Sequence, residues 1–214
     1  MISAKGLADD MVNALNVNSS FLKSFAGGAL ELPVDLYYLG YSFLDTDNRT
    51  SNSVDGERCI RLIQNGFANR KSLQKIANII IDRYLDKIDV HKLKTTGAHA
   101  GASLAGGVVM NRMILGNIGP MFADKLVTRM LTGFSFSSIL SLGAMQSRAI
   151  YTSRELSCRD PELHNYLMRL GNLDLLYFLI EKRVQPFEKA LSLWRQNKAL
   201  FDEVSSIFLQ RVRP

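Results

Sequence analysis

Cysteine is almost missing from this chain: Cys59 and Cys158 are the only two in 214 residues, too few and too far apart for a disulfide framework or a four-ligand zinc site. Both are expected to be reduced thiols. Runs of like charge are missing as well. The balance of 26 Lys and Arg against 20 Asp and Glu gives a net charge of +6 and a pI near 9.4, and the excess gathers in residues 57–94, with 9 basic against 4 acidic groups. No lysine or arginine run, aromatic-interleaved RNA motif or zinc-finger spacing accompanies it, so no nucleic-acid partner is expected. Attraction to anionic lipid headgroups is compatible with it. The opening MISAKGLADDMVNALNVNSS has no basic region leading into an unbroken apolar one, and Asp9 and Asp10 fall where that apolar region would lie. The expectation is a chain made in the cytoplasm that, if it leaves, does so by a route that cuts no leader. Alternating strand patterns and internal repeats are also absent.

Helical periodicity takes their place. KSLQKIANIIIDRYLDKIDVHKLK, residues 71–94, sets Leu73, Ile76, Ile80, Tyr84 and Ile88 at spacings of three and four, which predicts an amphipathic helix of about six turns. Asp160-Pro161-Glu162 supplies an N-cap, a proline suited to the first helical position and an acid near the positive helix end. It predicts a helix running to about Gly171, followed by NLDLLYFLIEKRV and, after Pro186, by FEKALSLWRQNKALFDEVSSIFLQRV. Residues 45–57, DTDNRTSNSVDGE, hold one apolar side chain and read as a loop. The fold class expected is all-α, a compact helical bundle in one domain.

One stretch differs from the rest in composition. Residues 95–147 carry only four charges, Arg112, Asp124, Lys125 and Arg129, leaving 42 of the 46 charges to the other 161 residues. On a helix Gly97, Gly101 and Ala105 stand one above another, and Gly133, Ser137 and Ser141 repeat the arrangement. Small residues at this spacing let a second helix approach closely. The two stripes, separated by Gly119-Pro120 and by Asp124-Lys125, read as a helical hairpin. Its apolar residues gain on the order of 0.3 to 0.6 kcal/mol each on membrane insertion, while an arginine at a helix centre costs roughly 2.5 to 3.5 kcal/mol. Insertion is therefore near balance, as expected of a chain that is first soluble and later embedded. In that case Arg112, Asp124, Lys125 and Arg129 would meet a water-filled lumen, headgroups or one another, and His99 would act as a pH gate because charging it raises the insertion cost. The alternative is that both arms are the buried centre of a soluble bundle.

This charge-poor hairpin, flanked by amphipathic helices and without a leader, resembles the architecture of small bacterial pore-forming toxins, including ion-leak effectors delivered by type VI secretion and the pore domains of colicins. The resemblance implies a chain soluble until delivery, held off by an immunity protein in the producer, that depolarises a target membrane, with a homo-oligomer formed on insertion. The competing expectation is a soluble helical interaction protein or secretion-associated adaptor.

An enzyme is not expected. Gly101-Ala102-Ser103-Leu104-Ala105-Gly106 lacks the glycine two positions after serine that a nucleophile elbow needs, and no Gly-Lys-Ser/Thr ending offers a lysine to phosphates. His91, His99 and His164 form no metal-ligand spacing, so neither metal nor cofactor is expected. Asp82, Asp86 and Asp89 share a helical side with Arg83 and Lys87 and read as a solvated face. Cys158 and His164 flank the Asp160-Pro161 cap without an activating geometry. Tyr37, Tyr38 and Tyr41 suit a membrane interface, a partner groove or, most commonly, a core.

Overall fold

A computed structural model describes residues 3–15, 37–38, 40–42, 44–89, 120, 124 and 143–211. The fold is all-α, and no strand occurs among the described residues. In chain order the helices are α1 (Ala4–Leu15), α2 (Arg49–Gln64), α3 (Arg70–Leu85), α4 (Gly143–Arg159), α5 (Pro161–Arg169), a 3-10 segment (Leu173–Leu179), α6 (Glu181–Gln196) and α7 (Lys198–Arg211). Residues 37, 38, 40–42 and 44 are also helical. The chain divides into two compact units, each built from separated stretches: Met1–Val17, Ala77–Leu126 and Lys182–Pro214 in one, Asn18–Ile76 and Val127–Glu181 in the other.

In the first unit α1 packs along α7, burying Leu7, Ala8, Met11 and Leu15, while Asp9 and Arg211 form an ion pair. Its centre is aromatic. Tyr84 of α3, fully buried, meets Phe187 and Phe201 at ring-centroid distances of 5.7 Å and Phe208 at 5.8 Å, all edge to face. That is the geometry the ring quadrupoles favour. The Tyr84 hydroxyl donates to Ser205 Oγ at 2.9 Å, which satisfies both groups away from water.

In the second unit α4 packs against α2, α5 and the 3-10 segment, and α5 against that segment. Every residue of Leu173–Leu179 is buried, Asp174 included. Cys59, Ile150 and Leu175 form a cluster in this core. The Asp160 carboxylate accepts from the Leu163 amide at 3.0 Å, and Pro161 opens α5, as the sequence predicts. The helix then ends two residues early, at Arg169: Gly171 has φ +105° and Asn172 φ +62°, and the Gly171 and Asn172 amides both donate back to the Met168 carbonyl.

Three sequence expectations need correcting. The polar stretch 45–57 is not a loop beyond Asn48, because α2 begins at Arg49. Its serines and asparagines are mostly exposed, and Asp55 and Gly56 are used in packing: Asp55 pairs with two arginines, and a Cβ on Gly56 would lie 2.9 Å from the Gln146 amide nitrogen. The expected six-turn helix stops at Leu85, where the Lys87 and Ile88 amides close tight turns onto Tyr84 and Leu85; the five apolar residues of its face are nevertheless all buried. Pro186 does not start the last helical stretch but lies inside α6. That stretch is itself split at Asn197, whose Oδ1 caps α7 by accepting from the Leu200 amide at 3.1 Å.

Candidate functional site

Two constellations of polar and aromatic side chains stand out, both in the second unit. The first is a buried charge network. Asp174, completely buried, accepts through Oδ2 from Arg58 Nη2 at 2.5 Å and Ser153 Oγ at 2.6 Å, and His164 Nε2 lies 3.6 Å away. Its Oδ1 is buried with no hydrogen-bond partner. Arg58 also donates to Asp55 Oδ1 at 2.9 Å and to Asn172 Oδ1 at 3.0 Å, and Asp55 Oδ2 receives Arg154 through two nitrogens at 2.7 and 3.1 Å. Burial alone would lower the Arg58 pKa, but the charges and hydrogen bonds of Asp174 and Asp55 outweigh it and hold the guanidinium above its ordinary value. With Arg58 held between Asp174 and Asp55, and Arg154 held by Asp55, the network fastens α2, α4 and the turn before the 3-10 segment.

The second is an open groove of about 620 Å³, within the range of ligand sites. One wall is a single face of α4: Tyr151, Arg154, Glu155, Cys158 and Arg159 recur at steps of three, four, seven and eight residues. The opposite wall is Tyr37, Tyr38 and Tyr41. Their rings close a circuit, Tyr37 to Tyr38 at 5.5 Å, Tyr38 to Tyr151 at 6.1 Å, Tyr151 to Tyr41 at 4.9 Å and Tyr41 to Tyr37 at 6.3 Å. Tyr37 is 65% exposed and Tyr41 50%, so these tyrosines form an accessible surface and not the core that such a cluster most often makes. The Tyr38 hydroxyl donates to Glu155 Oε1 at 3.2 Å; burial, and after it the Glu155 carboxylate, raises its pKa, so it stays a donor at neutral pH. The Tyr151 hydroxyl donates to Asp45 Oδ2 at 2.7 Å. That bond, with a second from Asn48, holds the half-buried Asp45 below its ordinary pKa.

The groove's two arginines are already engaged. Arg154 is bound by Asp55 and lies 5.3 Å from the Tyr151 ring centroid, and Arg159 donates to Tyr177 Oη at 2.9 Å and to Glu181 Oε1 at 3.3 Å.

Of the residues singled out from sequence, Gly97, His99, Gly101, Ala105, Arg112, Lys125, Arg129, Gly133, Ser137 and Ser141 lie outside the described residues, as does His91; Asp124 is helical and exposed. Cys158 and His164 part company: Cys158 is exposed in the groove, while His164 joins the buried network. Asp82 and Asp86 are exposed, while Asp89 is half-buried. Burial, and then the neighbouring Asp86, raises the Asp82 pKa. No group of His, Cys, Asp and Glu able to hold a metal ion occurs among the described residues. Sequence reading missed the α4 wall of the groove, although its one-sided spacing of tyrosine, arginine, glutamate and cysteine was there to find.

No family model matches this chain, and no curated protein or solved structure matches it either. Its functional reading therefore rests on its own residues.

Proposed function

We propose that the protein is a membrane-active helical effector that permeabilises a target membrane to ions through residues 95–147. The carrying observation is compositional: four charges in 53 residues, set beside two small-residue stripes at helix-contact spacing. No helix among the described residues is long and apolar enough to cross a membrane. In this reading the amphipathic helices form the water-compatible body, an anionic lipid membrane is the partner, an immunity protein protects the producer, and Gly97, Gly101, Ala105, Gly133, Ser137 and Ser141 form the seam of a pore. Arg112, Asp124, Lys125 and Arg129 meet lumen or headgroups, and His99 gates insertion by pH.

The test is release of potassium and of a large dye from anionic liposomes at neutral and mildly acidic pH. Ion release without dye release supports a small pore. Absence of release at both pH values moves the assignment to a helical interaction protein, the reading favoured by the exposed tyrosine groove.

A further inference from the structure

The groove between Tyr37, Tyr38 and Tyr41 and one face of α4 has a chemistry of its own. Its walls present the exposed rings of Tyr37 and Tyr41 and the half-buried ring of Tyr38, which stacks on the buried Tyr151; ring faces carry the negative end of the ring quadrupole. A positive group within about 6 Å of a ring centroid is attracted to that face, and the molecule already uses one ring in this way, with Arg154 held 5.3 Å from Tyr151.

The charges lining the groove decide the sign of what it takes. Arg154 is neutralised by Asp55 at 2.7 Å and Arg159 by Glu181 at 3.3 Å. Glu155 is different: it accepts the Tyr38 hydroxyl and forms no ion pair among the described residues. Among the described residues the uncompensated charge in the groove is therefore negative, and it stands beside Tyr38. An anion would have to displace Asp55 or Glu181 from an arginine and then face Glu155. A neutral apolar group would leave Glu155 unanswered. A cation with an apolar skin satisfies both the ring faces and the Glu155 carboxylate, whose Oε1 already accepts from the Tyr38 hydroxyl.

We infer that this groove is a binding site for an alkylammonium group, with Tyr37, Tyr38, Tyr41 and Tyr151 as the aromatic walls and Glu155 as the counter-charge. The site is independent of membrane permeabilisation, because a small soluble cation can occupy it with no membrane present. Two sources carry the same chemistry, a free alkylammonium compound or the choline headgroup of a lipid.

Choline is the probe, followed by the NMR shift of its N-methyl protons on titration into the full-length protein, with its uncharged carbon isostere as control. Ring currents should move the N-methyl signal upfield with saturation, and the isostere should bind at least about tenfold more weakly. Tyr41→Leu, which keeps apolar bulk without a ring face, and Glu155→Gln, which keeps the hydrogen bond from Tyr38, should each weaken choline binding by about three- to tenfold. Both positions are exposed, and an unchanged circular dichroism spectrum and melting temperature confirm the fold.

Vesicles separate the sources. If the headgroup is the ligand, phosphatidylcholine vesicles retain wild type better than either variant, while phosphatidylglycerol vesicles hold all three alike. If free cations are the ligand, choline binds in solution and phosphatidylcholine vesicles do not discriminate among the three. A folded wild type that fails to shift choline, or that binds the isostere equally well, overturns the inference.

Discussion

Removing the Arg58 guanidinium strands Asp174. Its carboxylate is fully buried, one oxygen already lacks a partner, and the other would keep only Ser153 and the more distant His164. Arg58→Met is therefore expected to destabilise the second unit by about 3 to 5 kcal/mol, the usual cost of leaving one member of a buried ion pair behind. Urea unfolding of the variant checks this; a loss below about 1 kcal/mol would mean that water reaches Asp174. A second prediction concerns alkaline pH. Burial pushes the Cys59 thiol up to about 12 from an ordinary 9, and burial likewise raises Tyr38, Tyr151 and Tyr84. These groups stay protonated in the folded chain at pH values where the unfolded chain releases its protons. Their contribution is whole below the unfolded pKa values and is lost as pH rises from about 9 towards 12. The melting temperature should fall across that window, and Cys59→Ala should flatten part of the slope even though its smaller side chain lowers stability at neutral pH. An unchanged slope in Cys59→Ala would assign the alkaline loss to the tyrosines.

At the level of elements, glycine separates what local sequence determines from what packing determines. Gly56 lies inside α2, with ordinary helical backbone and only the flexible Gln146 amide in the way of a Cβ. Gly171 ends α5 at φ +105°, with the Phe67 ring carbons 2.7 and 2.8 Å from where a Cβ would stand. Gly56→Ala should change stability by no more than about 0.5 kcal/mol, its helix-propensity gain offset by the shift of Gln146. Gly171→Ala should cost about 1 to 3 kcal/mol, because both its backbone and its space exclude a side chain. Thermal melts of the pair test the ordering, and equal losses would contradict it. The same division explains what was legible in the sequence. The Asp160-Pro161 cap and the apolar face of α3 are local patterns, and both stand where the spacing puts them. Residues 49–57 read as a loop because serine, threonine and asparagine favour turns on their own; they are helical here in a setting where Asp55 meets Arg58 and Arg154 and Gly56 meets α4. The tyrosine groove was half legible, since Tyr37, Tyr38 and Tyr41 announce an aromatic cluster. Its function as a groove depends on Glu155 and Tyr151, and Tyr38 and Glu155 are 117 positions apart, a pairing that spacing cannot reveal.

For the molecule as a whole, the contrast between charge-rich described helices and charge-poor residues 95–147 poses a question of balance. Insertion near zero net free energy is sensitive to single side chains, whereas a water-soluble core hairpin responds mainly through folding. If residues 95–147 enter lipid as helices, Ile139→Asp adds a charge costing about 2.5 to 3.5 kcal/mol, and Arg112→Leu removes one of similar size. The membrane reading therefore predicts opposite effects: Ile139→Asp should reduce vesicle binding and potassium release by about a hundredfold, and Arg112→Leu should strengthen vesicle binding. Gly101→Leu and Gly133→Leu should leave vesicle binding intact while abolishing release, because bulk on the stripe blocks helix contact without making insertion less favourable. Measuring binding by co-sedimentation and release separately distinguishes entry from pore assembly, with the melting transition showing that each variant folds. If folded Ile139→Asp and Arg112→Leu bind vesicles equally, residues 95–147 do not enter lipid; the stripe is then a packing seam, and the tyrosine groove becomes the surface through which the protein acts.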